Sequence, residues 1–192
     1  MRLFVMVTII ASVALCPISA RCASRSTDND FICVSTWETQ PCPCVFIHNY
    51  AQKTIYMAIL NPTRPIASFA CRMRFVPSEG FFGEWTAADG WSNTAPAPAL
   101  ELTSADEPAT GEFVVLAINT IVVIDESIEN EIHIDPPDGE DTLVYLDPDG
   151  NPVPLFHCGS GADAYLNPGW GCQCIVPANT PLTWSTVKTL YR

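Results

Sequence analysis

Apolar residues in this chain come in short runs, and several of them alternate with polar ones. The segment Glu131-Ile132-His133-Ile134-Asp135 alternates strictly. In 66–76, Phe69, Cys71, Met73 and Phe75 share one parity, while Arg72 and Arg74 share the other. Side chains on a strand point to opposite faces in turn, so both segments read as half-buried antiparallel strands. The run 54–60 reads as a strand too, joined to 66–76 by the turn-rich Asn61-Pro62-Thr63-Arg64-Pro65. The most apolar stretch beyond the N-terminus is 112–124, where eight residues are β-branched. That composition favours strand over helix, with a bend or hairpin tip expected at Asn119-Thr120.

Further strands are expected at 142–146 and 153–158, around the turn Asp147-Pro148-Asp149-Gly150-Asn151. The last two are expected at 171–177 and 182–190. Seventeen prolines are scattered through the chain, and each costs a helix interior about 3 kcal/mol. Long helices are therefore disfavoured. Between Val76 and Gly111 no strand pattern is evident, and this segment reads as one long irregular loop rich in aromatics. The expected fold is an all-β, disulfide-stabilised antiparallel β-sandwich carrying that loop.

Residues 1–20 stand apart. Arg2 precedes a mostly apolar run at 3–15, and Cys16-Pro17 ends it before Ile18-Ser19-Ala20. This is the pattern of a secretory signal, and it is shorter than the roughly 20 apolar residues that span a bilayer. The expectation is a removed signal at 1–20, then a single sandwich domain at 21–192, secreted and without a membrane anchor. Eight cysteines then remain: Cys22, Cys33, Cys42, Cys44, Cys71, Cys158, Cys172 and Cys174. An even number in an exported chain reads as a disulfide framework, with Cys42 or Cys44 expected to meet Cys172 or Cys174. The Cys42-x-Cys44 and Cys172-x-Cys174 pairs offer four thiolates to zinc, but an oxidising compartment favours bridges.

Charge then narrows the function. The 192 residues hold 9 Lys+Arg and 21 Asp+Glu, for a net charge of −12. That balance speaks against nucleic acid, whose phosphates need cations, and against anionic lipid. No Lys or Arg occurs from Phe75 to Val187, whereas eighteen carboxylates do. Ten of these lie between Asp125 and Asp149. A one-signed field steers cationic partners, although acidity also serves plain solubility. The expected acidic patch comprises Asp125, Glu126, Glu129, Glu131, Asp135, Asp138, Glu140 and Asp141.

Other chemistry is weaker. Asp147-x-Asp149-x-Asn151 matches the start of a calcium loop, but Pro152 stands at the sixth position and Cys158 at the twelfth. A hairpin turn explains the segment better. His133, between Glu131 and Asp135, suggests a metal site or pH switch, against a merely solvated strand face. His48 follows Val45-Phe46-Ile47 and reads as structural. His157-Cys158-Gly159-Ser160-Gly161 lacks the full nucleophile elbow and reads as a disulfide-tethered turn. No cofactor or metal is expected.

Phe81, Phe82, Trp85 and Trp91 supply aromatic anchors for a binding loop, or rings that plug the end of the sandwich. The profile resembles secreted viral and parasite proteins that sequester chemokines. The resulting expectation is a non-enzymatic secreted protein that captures a basic extracellular protein, chemokine-like or otherwise, as an effector or immune modulator. The alternatives are a carbohydrate-binding or surface-associated module, with Trp85 and Trp91 stacking on sugar, and last a hydrolase using paired carboxylates.

Overall fold

The computed structural model describes residues 30–37, 43–158 and 162–168. The expected signal, the strands at 171–177 and 182–190, and Cys22, Cys42, Cys172 and Cys174 lie outside them. Among the described residues there are strands and turns and no helix. The strands run in order β1 Phe31–Ser35, β2 Cys44–Val45, β3 Gln52–Leu60, β4 Ser68–Val76, β5 Phe81–Phe82, β6 Trp85–Ala87 and β7 Trp91–Asn93. They continue with β8 Ala99–Ser104, β9 Phe113–Val123, β10 Asn130–Asp135, β11 Val144–Leu146, β12 Pro152–Pro154, β13 Phe156–His157 and β14 Ala164–Leu166.

Two sheets form a sandwich. The first runs β13-β1-β3-β9-β5, with β6 also on β9. The second runs β12-β11-β4-β10-β14-β2, with β8 on β4 and β7 on β8. Most pairs are antiparallel, whereas β1 with β13 and β14 with β2 are parallel. Along one edge of β4 lies β8, and along the other β10 and β11 follow one another. The expected antiparallel sandwich is thus present, including the alternation in β10, where Ile132 and Ile134 are buried and their neighbours are not.

The core is made where the inner faces meet. Ile55, Met57, Ile59, Leu116 and Ile121 from the first sheet pack with Phe69, Met73, Leu102, Ile132 and Ile134 from the second. Such burial is worth about 1.5–3 kcal/mol per large aliphatic side chain. The segment 61–65 does not close a hairpin. It carries the chain from one sheet to the other, so β3 and β4 face each other across the core.

The bend expected at Asn119-Thr120 is also absent. Strand β9 is continuous, and its irregularity lies three residues earlier, where Met57 faces Ala117 and Ala58 faces Val115. Leu116 is therefore the extra residue of a β-bulge. The bulge changes the parity of the buried face: Val114 and Leu116 are buried before it, and Ala117, Asn119, Ile121 and Val123 after it. An asparagine is thereby turned into the core.

Candidate binding site

The segment 77–111 is not an irregular loop. It contains β5, β6, β7 and β8. Strands as short as β5, β6 and β7 escape a periodicity argument because two or three residues cannot show a period, whereas the six residues of β8 do alternate, with Leu100 and Leu102 buried. Within it Trp85 and Trp91 are half-buried and pack against the core. Phe81 packs on Phe75 with ring centroids 4.5 Å apart. Phe82 alone of the four expected anchors is well exposed, at 66%. The partial burial of Trp85 and Trp91 leaves only part of each indole open to a ligand.

The acidic residues do not form one patch. The loop 124–129 precedes β10 and the loop 136–143 follows it, so the two groups of carboxylates sit at opposite ends of the sandwich. Several are also engaged within the chain. Arg74 Nε donates to Asp135 Oδ2 at 2.6 Å and Nη2 to Oδ1 at 3.0 Å. Arg72 pairs with Asp138. The Arg74 guanidinium holds the Asp135 carboxyl below its usual range. Glu126 lies 2.9 Å from His48 Nδ1 and accepts from the Asn49 N–H. Asp125 caps Ser127 through its N–H and its hydroxyl, which lowers its pKa. Glu131 lies 3.0 Å from His133 Nε2. The folding of β4 beside β10 thus brings arginines to two of the eight expected carboxylates, Asp135 and Asp138, and the acidic field is only partly compensated. Among the described residues, Glu129, Glu140 and Asp141 have neither an arginine nor any of the other side-chain partners named above.

One of these free groups lines a groove. On the outer side of the second sheet, Ala70, Thr103, Val144, Leu146, Glu101 and Glu140 are among the residues around a depression of about 400 Å³. Glu101 accepts from the Thr94 hydroxyl at 3.2 Å. Leu146 is 37% exposed. The groove offers two carboxylates over an apolar floor, which suits a long basic side chain whose stem is apolar. Sequence reading found Glu140 but missed Glu101, which is far from the acidic cluster in the chain and is brought near by β8.

The remaining candidates are structural. Asp147 Oδ1 accepts from the Asp149 and Asn151 N–H groups at 3.0 and 2.8 Å, and Oδ2 accepts from Arg64 at 2.6 Å. Those bonds hold its carboxyl down to about 2, and the calcium-like segment is a turn closed by protein donors. Among the described residues no three His, Cys, Asp or Glu side chains gather as a metal site. His48 is a surface residue, its side chain 95% exposed, rather than a structural one. Cys33 and Cys158 form a disulfide across 125 residues of sequence, and Cys44 is disulfide-bonded as well. Cys71, expected in a bridge, is instead a buried free thiol. Its place on the inward face of β4 sets it beside Met57 and Met73 sulfurs at 4.0 and 3.9 Å. Burial pushes its pKa well up.

With the two sheets and their connections in place, the chain compares with known structures. The sixth cohesin of scaffoldin B from Acetivibrio cellulolyticus, solved with a Cel5 dockerin, superposes with a TM-score of 0.51 at 11% identity, over 73% of this chain and 99% of that one. The type I cohesin–dockerin complex Coh-OlpA-Doc918 from Clostridium thermocellum gives 0.50 at 12%, over 72% and 98%. The fold is cohesin-like. At that identity the likeness extends to the fold alone. No known family's sequence profile matches the chain, and no curated protein is significantly similar to it. The cohesin-like sandwich accounts for the described residues, with the Glu101–Glu140 groove on its outer face.

Proposed function

We propose that the protein is an exported, non-catalytic protein-binding module whose partner presents a basic side chain to the groove between Glu101 and Glu140. The groove carries this reading: it joins two carboxylates to an apolar floor on the outer side of the sheet. The cohesin-like fold supports it, since both neighbours described above were solved with a protein partner, a dockerin. The scarcity of cations supports it as well: among the described residues they are Lys53, Arg64, Arg72 and Arg74, and the three arginines are already paired. Chemokine capture gains no support from these neighbours. Half-burial of Trp85 and Trp91 makes the carbohydrate reading the weaker one.

Surface plasmon resonance against immobilised histone and lysozyme tests it. Binding is expected at low salt and should fall as salt rises, because exposed charges are screened over about 10 Å at 0.1 M. Glu101→Gln with Glu140→Gln is expected to weaken binding about tenfold or more. Binding of neither basic protein, or binding indifferent to the double variant, overturns the reading.

A further inference from the structure

A second cavity lies on the other side of the same sheet, between the sheets at their open edge. It measures about 480 Å³ and is lined by Met73, Phe75, Phe81, Trp85, Pro96 and Leu100, among others. This is the size range of small-ligand sites, which are apolar with a few convergent polar groups. One wall is β5 and β6, which pair with β9 through Phe81, Phe82 and then Trp85, leaving Gly83 and Glu84 out of the ladder.

Behind Gly83 sits the asparagine that the bulge turned inward. Asn119 is fully buried. Its Oδ1 and Nδ2 have no hydrogen-bond partner, and neither has the buried Nε1 of Trp85, its cross-strand neighbour. An alanine at position 83 would bring its Cβ within 2.5 Å of Asn119 Oδ1. The amide thus fills the side-chain space that Gly83 leaves, directly beneath the cavity wall. An unpaired buried polar group costs stability, and native cores rarely keep three together. The bulge that puts Asn119 there also leaves Ile118 and Val122 on the outer face, half-buried. Local preference is overridden on both faces, as happens at functional sites.

We infer that this cavity binds a small apolar molecule bearing a primary carboxamide, whose head pairs with Asn119 and Trp85 while its body lies against Phe75, Phe81 and Pro96. The count of groups sets the class. A carboxamide oxygen accepts twice and its N–H donates, so it takes Asn119 Nδ2–H and Trp85 Nε1–H and returns a hydrogen bond to Asn119 Oδ1. The three atoms are closed from solvent, so Trp85 must swing on its short strand to admit the head. The break in pairing at Gly83-Glu84 permits that motion.

Benzamide is the probe and ethylbenzene its apolar control, titrated into the isotopically labelled protein and followed by two-dimensional ¹H–¹⁵N NMR. Benzamide is expected to shift the Trp85 indole and Asn119 side-chain signals saturably, and ethylbenzene is expected to bind more weakly and leave the Asn119 signal in place. Asn119→Leu is expected to weaken benzamide binding about tenfold or more while melting no lower than the parent, because an apolar side chain of similar shape removes the unpaired groups. Should that variant fail to fold, Trp85→Phe, which keeps the ring and loses the N–H, is expected to weaken benzamide and spare ethylbenzene. No saturable shift up to the solubility limit, equal response to the two probes, or benzamide binding unchanged in the variants overturns the proposal. Three groups served only by a buried water would give the first of these results.

Discussion

The Tyr145 hydroxyl donates to Asp30 Oδ1 at 2.9 Å, across 115 residues of sequence. The same hydroxyl accepts from the Arg64 N–H at 3.1 Å. Asp30 also takes the Thr63 N–H and hydroxyl, each at 2.8 Å. One buried carboxylate therefore ties the entry to β1, the 61–65 crossover and β11. Tyr145→Phe leaves the Asp30 oxygen and the Arg64 N–H without this partner. It is expected to destabilise by about 1–3 kcal/mol, read as a lower urea midpoint with an unchanged slope.

Acid should act through Asp147. Its folded pKa, about 2, lies below the ordinary value of 3.8. A lowered carboxyl contributes stability that is complete above the unfolded value and disappears as pH falls through the folded one. Asp135 is shifted the same way by Arg74 and adds to the slope. The melting temperature is expected to decline between about pH 4 and pH 2. Arg64→Ala should flatten that limb while leaving the Arg74–Asp135 share. A limb as steep as the parent's would show that Arg64 is not the cause.

Base should act through His157. Its Nδ1 lies 2.7 Å from Asp163 Oδ1, and that hydrogen bond raises its pKa above 6.5. A raised histidine contributes fully below the unfolded value, and the contribution is lost as pH climbs through the folded one. Stability is thus expected to fall as pH rises from about 6.5 upward. His157→Gln should remove this dependence. Thermal melts at several pH values, compared between parent and variant, check it.

Cys71 is expected to resist iodoacetamide in the native protein and to react once the fold is opened with guanidinium. The thiolate is the reactive form, and burial between two methionine sulfurs disfavours it. Mass spectrometry of the tryptic peptide reads the result. Cys71→Ser should cost about 1–3 kcal/mol, because a hydroxyl enters an apolar site without a partner. Labelling of the native protein at Cys71 would contradict its burial.

Much of the sandwich is readable where period-two alternation is long enough to see. Strands β4 and β10 show it plainly, and Ile132, Ile134, Phe69, Cys71 and Met73 are buried as their parity requires. What escapes is set by contacts distant in sequence. Leu116 carries no sign that it will be the surplus residue opposite Met57 and Ala58, because a bulge is decided by the partner strand. Nothing local distinguishes a hairpin at 61–65 from a crossover between sheets. Glu101 and Glu140 meet around one groove only through the pairing of β8 and β11 with β4. Conversely, carboxylates close in sequence separate once β10 stands between them, and two of them find the arginines of β4. Proximity along the chain suggested a single patch, whereas strand pairing decides which charges are neighbours.

The parallel pairing of Phe31 with Phe156 and Ile32 with His157 has a bearing on synthesis. The strand that begins the first sheet receives one of its two neighbours only after more than a hundred further residues have been made. Contacts of such long range are slow to form. A nascent chain emerging from its amino end must therefore carry β1 with one flank uncovered, a template for wrong pairing, until residues 156–158 arrive and the Cys33–Cys158 bond seals the seam.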